Sequence, residues 1–491
     1  MATGATGVNM ENRQTRVDRE KTLAGIEVRL VENSDDISLQ FDRARLLTAL
    51  GRAEDAKQAY LKILATDPRH LGTLNNLGTI LYETGYRSAA CTTYLQAVTH
   101  HPDDAISRVN LANLLFDEND LAAARGHYEE ALRLEPDLAQ AHQGMTRIYS
   151  ALRDEAGASR HRERGFRNHA VSTLPYLGKE QPVKLLLLVS ADGGNIPVRQ
   201  HIDNHVFETT VVFADFYDQA QPLPLHDLVF NTIGDADLCK PALEAAARLL
   251  TKTNAPVINP PQKVLSTGRV DNARLLAGTG VKTAQTKMLL KQQVLQQKLD
   301  FPLLLRAPGF HTGQHFVKVD KPEQLARAME QIPGEEILAM QYLDATSADG
   351  LARKYRVMMI DGKLYPLHLA ISENWKVHYF TAAMSGHTLH QLEEMRFLED
   401  MPGVLGAQGM AALERISKIL GLDYGGVDFG LDRSGNILLF EANATMVINL
   451  PDSDPQWAYR RPAMEKALQA MRLMLARLAR TATPKGHQNV L

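Results

Sequence analysis

With 491 residues, the chain has room for about three domains of roughly 150 residues each. Lys plus Arg number 54 against 57 Asp plus Glu, a near-balance that excludes a nucleic acid or membrane held by bulk charge. Two cysteines, Cys91 and Cys239, exclude a disulfide framework; with no ~20-residue apolar span and no signal-peptide core, a cytoplasmic protein is expected.

A helix is expected over residues 17–31, and beyond residue 37 a repeat takes over. Pro68, Pro102 and Pro136 recur at a spacing of 34 residues. Ala56, Ala90 and Ala124 stand twelve residues before each proline, Tyr60, Tyr94 and Tyr128 eight before, and the small residues Ala44, Gly78 and Ala112 twenty-four before. Small residues let two helices cross closely, the tyrosine is expected to fill the gap to the next repeat, and proline stops the second helix. A fourth, worn unit spans residues 139–166 and keeps Tyr149 and Ala158, as suits a capping repeat. Arg160, Arg162, Arg164 and Arg167 read as the solvated face of that cap.

This pattern resembles the tetratricopeptide repeat, which implies an all-α solenoid whose concave groove holds a peptide or protein. Asn76 and Asn110 share one repeat position, and their amides are either peptide-gripping groups or ordinary surface asparagines.

After a linker at 171–181, residues 183–189, 208–213 and 227–231 read as strands with helical stretches among them, a small open α/β arrangement. The loop Asp192-Gly193-Gly194 lies where such sheets bind ligands, but it lacks the spacing of a dinucleotide fingerprint.

The sharpest signal spans residues 425–443. A hairpin turning at Ser434-Gly435 sets Val427 opposite Ala442 and Asp428 opposite Glu441. Alternation then assigns Val427, Phe429, Leu431, Leu438, Phe440 and Ala442 to the core. Asp428, Glu441 and Asn443 go to the other face, together with Gly430, Ile437 and Leu439. Facing carboxylates about 5 Å apart repel by roughly 3 kcal/mol at an effective dielectric of about 20. A cation or proton must stand between them, either a hard divalent metal or an arginine clamp.

Residues 183–480 resemble the ATP-grasp superfamily, near D-alanine–D-alanine ligases, glutathione synthetases and RimK-type ligases. The resemblance implies Asp428, Glu441 and Asn443 as the metal triad for two Mg²⁺ ions (Mn²⁺ can substitute) that bridge ATP phosphates. It implies Arg269 and Arg306 as phosphate-binding bases in positions where lysine is usual. His311, Thr312 and Gly313 would belong to a loop over the phosphates, and Gln341, Tyr342 and Leu343 to the strand that meets adenine. Asp344 or Asp349 would hold the ribose, and Arg356 would be the catalytic residue that steadies the transferring phosphoryl group or the acyl phosphate. Departures from the pattern include Gly426, where some members carry an acyl-stabilising arginine. Another is Asn443-Ala444-Thr445-Met446 in place of a Pro-Gly pair, which predicts an acceptor pocket unlike those of the familiar ligases.

The expected architecture is therefore multidomain: an all-α tetratricopeptide solenoid, then an α/β pre-ATP-grasp domain, then an α+β ATP-grasp domain. The divisions are a helical extension at 1–36, repeats at 37–170, the linker at 171–181, the small domain at 182–285, the catalytic domain at 286–482 and a tail at 483–491. Residues 462–480 form an amphipathic helix with Met464, Leu468, Met471, Leu475 and Leu478 on one stripe. The implied activity is ATP-dependent C–N (or thioester) ligation of small-molecule or peptide carboxylates and amines through an acyl phosphate. The alternative is an interaction scaffold whose ATP-grasp domain only binds ATP.

Overall fold

The computed structural model describes residues 16–152, 154–310, 313–377, 382, 384–451 and 454–482. Described residues up to Leu185, with Asp203–Asp218, form one compact unit; Leu186–Ile202, with those from Gln219 onward, form a second.

The first unit is built of helices α1 (Arg16–Glu32), α2 (Ile37–Ala49), α3 (Ala53–Thr66), α4 (Leu71–Glu83), α5 (Arg87–His100), α6 (Ala105–Asp117), α7 (Leu121–Leu134), α8 (Ala139–Leu152) and α9 (Glu155–Phe166). Four starts, those of α2, α6, α7 and α9, share a local cause: the carboxylates of Asp36, Asp104, Asp120 and Asp154 accept from the backbone N–H three residues on. Each repeat proline lies two residues past its helix end, where it prevents continuation.

The repeat residues meet as rings on small side chains. Ala44, Ala56, Ala90, Ala112 and Ala124 are wholly buried, as are Tyr60 and Tyr128. A Cβ on Gly78 would lie 2.5 Å from the Tyr94 ring, and one on Gly144 2.2 Å from the Tyr128 ring. Tyr94 also clusters with Leu111 and Leu114 of the next repeat, and Tyr128 with Ala141 and Met145 of the one after it, so both rings fill the gap forward as expected. Glycine adds a second close approach, within its own repeat for Tyr94 and in the next for Tyr128.

The linker expected at 171–181 contains strand β1 (Val171–Thr173), which is followed by β2 (Val183–Val189) and β3 (Phe207–Phe213). β1 pairs antiparallel with β3, in register Val171↔Val212. Three exposed residues are too few for any periodicity to register, so the strand was invisible in the sequence.

In the second unit β4 (Leu228–Asn231), α10 (Lys240–Leu250) and β5 (Val257–Ile258) form a parallel crossover, followed by α11 (Pro261–Leu265) and α12 (Arg269–Leu275). Two sheets then carry the site. Strands β6 (Lys282–Thr283), β7 (Thr286–Leu290), β8 (Leu303–Arg306), β9 (Phe316–Val319) and β10 (Glu336–Gln341) come first, with α13 (Lys291–Gln296) and α14 (Leu325–Glu330) among them. The long hairpin of β11 (Ala352–Ile360) and β12 (Lys363–Ser372) turns at Asp361-Gly362, both at positive φ as a two-residue turn requires. After α15 (Thr388–Glu399) and α16 (Met401–Leu420) come β13 (Tyr424–Leu431), β14 (Ile437–Asn443) and α17 (Arg461–Ala482).

The four-stranded sheet has the order β7-β10-β8-β9 and the five-stranded one β12-β11-β13-β14-β6. Alternation sorts the first sheet cleanly: Leu303, Leu305, Ile337 and Ala339 face a core with α13 and α14. Leu304, Leu338 and Met340 face the other way, onto Phe316, Tyr342 and Trp375. The predicted stripe on α17 buries Met464, Leu468, Met471 and Leu475.

Candidate functional site

The β13–β14 pair sets Asp428 opposite Glu441 and Val427 opposite Ala442, as expected, but the register then slips so that Phe429 pairs with Leu439. The turn is the cause. Instead of a tight loop at Ser434-Gly435, Asp432 Oδ1 accepts from the N–H groups of Ser434 and Asn436, each at 2.9 Å, making a longer loop. The odd residue is absorbed as a bulge at Phe440, which moves from its predicted core face to the same cavity as Glu441 and Asn443. Its ring covers Gly430, where a Cβ would stand 2.9 Å away.

That cavity, of about 450 Å³, is walled by both sheets. Arg269, Arg306, Gly313, Gln341, Tyr342, Leu343, Arg356, Asp428, Glu441 and Asn443 all line it. Asp344 does not line it. Its carboxylate accepts from the Thr346 N–H at 3.0 Å, and that hydroxyl-bearing neighbour holds its pKa below the usual carboxylate range. Asp349 is likewise outside, paired with Arg353 at 2.7 Å. His311 and Thr312 lie outside the described residues.

The two facing acids are kept apart electrically by separate cations. Arg356, one strand over, donates Nε to Asp428 Oδ1 at 2.6 Å and Nη2 to Oδ2 at 2.8 Å, and Lys354 stands 3.0 Å from Oδ2. Burial alone would raise the Asp428 pKa, but the guanidinium and ammonium together hold it far below the ordinary value. Glu441 Oε1 accepts from Arg269 Nη2 at 3.1 Å, and Nη1 of the same arginine reaches Asp237 at 2.9 Å. Despite its burial, Arg269 is held firmly protonated by Glu441 and Asp237. Asn272 of α12 donates to the Thr267 and Ala442 carbonyls at 3.0 and 2.8 Å, tying the Arg269 helix to the Glu441 strand.

Other cations lack such partners. Arg306 donates Nη2 to the Phe310 carbonyl, but its buried Nε meets no acceptor among the described residues. Burial, followed by repulsion from Arg269, pushes its pKa down to about 10. Lys376 leans over Gly313, and its pKa falls through burial and through the nearby Arg306. Sequence reasoning missed Lys376, whose neighbours carry no motif. Lys354 was legible in principle, two residues from Arg356 and so on the same strand face.

Two carboxylates with an amide oxygen are the donor set of a hard divalent cation. Asp428 would have to exchange its side-chain cations for the metal. Asn443 Oδ1 accepts from the Thr445 N–H at 3.0 Å and its hydroxyl at 2.9 Å, so it would also need to turn. Among the described residues, no group of three His, Cys, Asp or Glu is set to hold a metal. In the helical unit the Asn76 amide donates to Tyr60 Oη at 3.1 Å and that of Asn110 to Asn75 Oδ1 at 3.1 Å, so each is engaged within the array.

A family model described as tetratricopeptide repeat matches residues 105–138, which take in α6 and α7. Among solved structures the chain is similar to MamA, at 14% identity over 31% of this chain and 88% of that one, with a TM-score of 0.29. It is similar to PilF from Pseudomonas aeruginosa at 22% identity, over 30% and 68% of the two chains, with a TM-score of 0.29. It is also similar to YrrB, a TPR protein with an unusual peptide-binding site, at 18% identity over 30% and 77%, with a TM-score of 0.27. No curated protein matches the chain. No helix among the described residues is long and apolar enough to cross a membrane. Residues 105–138 are a tetratricopeptide repeat within an all-helical solenoid region, α1–α9.

Proposed function

We propose that the second unit is an ATP-dependent carboxylate–amine (or thiol) ligase of ATP-grasp type, and that the helical array recruits a peptide or protein to it. One observation carries the reading. The cavity wall sets Arg306 and Lys376, which have no carboxylate partner among the described residues, beside Arg269, Lys354 and Arg356, which are paired with Glu441 and Asp428, a cationic setting suited to a triphosphate. Apolar side chains from the four-stranded sheet, Leu304, Phe316 and Met340, offer a flat bed for a base beside Leu343.

A substrate carboxylate would attack the γ-phosphorus, breaking its bond to the β-phosphate oxygen and giving an acyl phosphate and ADP. An amine would then displace inorganic phosphate and lose a proton. Arg306 and Lys376, which have no carboxylate partner among the described residues, would meet phosphate oxygens. Arg356, whose planar fork suits two oxygens, would pass from Asp428 to the transferring group. Asp428, Glu441 and Asn443 would hold Mg²⁺, which supplies neutralisation of phosphate charge.

The second reading, a scaffold whose nucleotide domain only binds, draws support from the saturation of both Asp428 oxygens by Arg356 and Lys354. ADP release across pooled amino acids and peptides separates the two. Ligation predicts release that disappears in Glu441→Gln while the far-ultraviolet spectrum is unchanged. Tight Mg-ATP binding with no release under any mixture supports the scaffold. Undiminished release in Glu441→Gln would refute the role of the triad.

A further inference from the structure

Asp428 and Glu441 face each other across one strand pair, but the side chains around them treat the two acids differently. Both Asp428 oxygens are taken: Oδ1 accepts from Arg356 Nε at 2.6 Å, and Oδ2 meets Arg356 Nη2 at 2.8 Å and Lys354 Nζ at 3.0 Å. The carboxylate is almost wholly buried, so water does little to compete for it. Glu441, among the described residues, accepts from Arg269 through Oε1 alone, at 3.1 Å, and its side chain is 28% exposed. Arg269 also holds Asp237 at 2.9 Å, so it keeps a carboxylate when Glu441 is given up.

A buried carboxylate with two cations on it carries net positive charge. A divalent cation entering there meets like charges a few ångströms away, where little water screens them. Two events lift that barrier: departure of Arg356 from Asp428, and arrival of an anion of larger charge than the acid. A phosphate chain brings both at once, because Arg356, Arg306 and Lys376 line one cavity and a guanidinium fork suits phosphate oxygens. Lys354 makes the exchange tolerable. It stands two residues before Arg356 on the same strand face and has its own contact with Oδ2, so the buried acid is not left bare when the arginine leaves.

We infer that the chain takes its ligands in a fixed order: Arg356 and Lys354 occupy Asp428 as internal counter-ions, and a divalent cation gains this carboxylate only after a nucleotide's phosphate chain has drawn Arg356 away. This rests on the nucleotide-binding part of the ligase reading and adds an interlock to it. Nucleotide then binds without metal, whereas metal binds poorly without nucleotide.

Two titrations of the full chain test the order. Calorimetry with a non-hydrolysable ATP analogue in EDTA reports nucleotide bound without metal, and the electron paramagnetic resonance of Mn²⁺ reports metal bound without nucleotide. The analogue should bind in EDTA, and Mn²⁺ alone should bind Arg356→Gln at least tenfold more tightly than the unaltered chain. Equal Mn²⁺ affinity in the two chains, or an analogue that binds only when Mg²⁺ is added, would overturn the order and leave nucleotide recognition standing. An analogue that fails to bind with or without Mg²⁺ would remove the nucleotide reading as well. Should Arg356→Gln not fold, the unaltered chain decides. Mn²⁺ binding at micromolar metal without nucleotide overturns the inference, and analogue binding in EDTA with no such Mn²⁺ binding upholds it.

Discussion

In the helical array aromatic rings pack against residues with little or no side chain, as Tyr128 does on Gly144. In the sheet-built unit the cavity is braced by opposite charges, Arg356 with Asp428 and Arg269 with Glu441. The first kind of contact is complete within the fold, because a ring against Gly144 needs nothing further. The second is not: Arg306 lines the cavity with a buried N–H that meets no acceptor among the described residues. The packing of the array is closed on itself, while the cavity keeps a buried donor unsatisfied.

The most severe break of this contrast is Arg356→Ala. It leaves the buried Asp428 with Lys354 as its remaining close cation, and breaking such a pair costs about 3–5 kcal/mol. A urea midpoint within experimental error of the parent chain would show that the clamp is not structural. Next in size, Gly144→Ala drives a methyl into the Tyr128 ring and should cost about 1–3 kcal/mol. Calorimetry showing an unchanged melting temperature would contradict the close packing.

Arg306→Ala sharpens the comparison from the other side. Its charge has no carboxylate partner among the described residues, so stability should move by less than about 1 kcal/mol, while affinity for an ATP analogue drops about tenfold or more. Equal binding before and after the change would exclude Arg306 from anion recognition.

A fourth prediction concerns pH and the array. His142 and His161 share a hydrogen bond of 2.8 Å between their Nδ1 atoms. Burial, and then the neighbouring His142, lower the His161 pKa to about 4. The unfolded chain takes up this proton first, so stability should fall, on the order of 1 kcal/mol, as pH drops from about 6.5 toward 4. His161→Gln should flatten that slope in urea titrations at pH 7 and 5. The smallest effect is a gain: the exposed Gly126 has nothing within 4 Å of its missing Cβ, and Gly126→Ala should stabilise α7 by about 0.5–1 kcal/mol. A loss there would mean that surface crowding, and not backbone entropy, governs the helix.

Much of the array was open to reading because its information is local and repeated. Three copies of one spacing located the three helix pairs from α2 to α7. Which glycine a ring closes on was hidden, since Tyr94 and Tyr128 occupy the same repeat position but meet Gly78 of the same repeat and Gly144 of the next. Around the cavity, strand alternation brought Asp428 to Glu441, but alternation holds only while the register does. The Asp432 loop, a side-chain effect, shifted Phe440 onto the other face. Lys376, arriving from a segment without periodicity, escaped notice altogether.

Local sequence therefore determined where helices begin and end, which residues are small enough to be crossed, and which two acids face each other. These follow from backbone geometry acting over a few residues or across one hairpin. Only the tertiary structure decided that Arg356 clamps Asp428, that Arg269 shares itself between Glu441 and Asp237, and that Met446 fills the space over Gly426. Those outcomes depend on which distant strands lie side by side, and electrostatic and steric forces act on distance in space, not on distance along the chain.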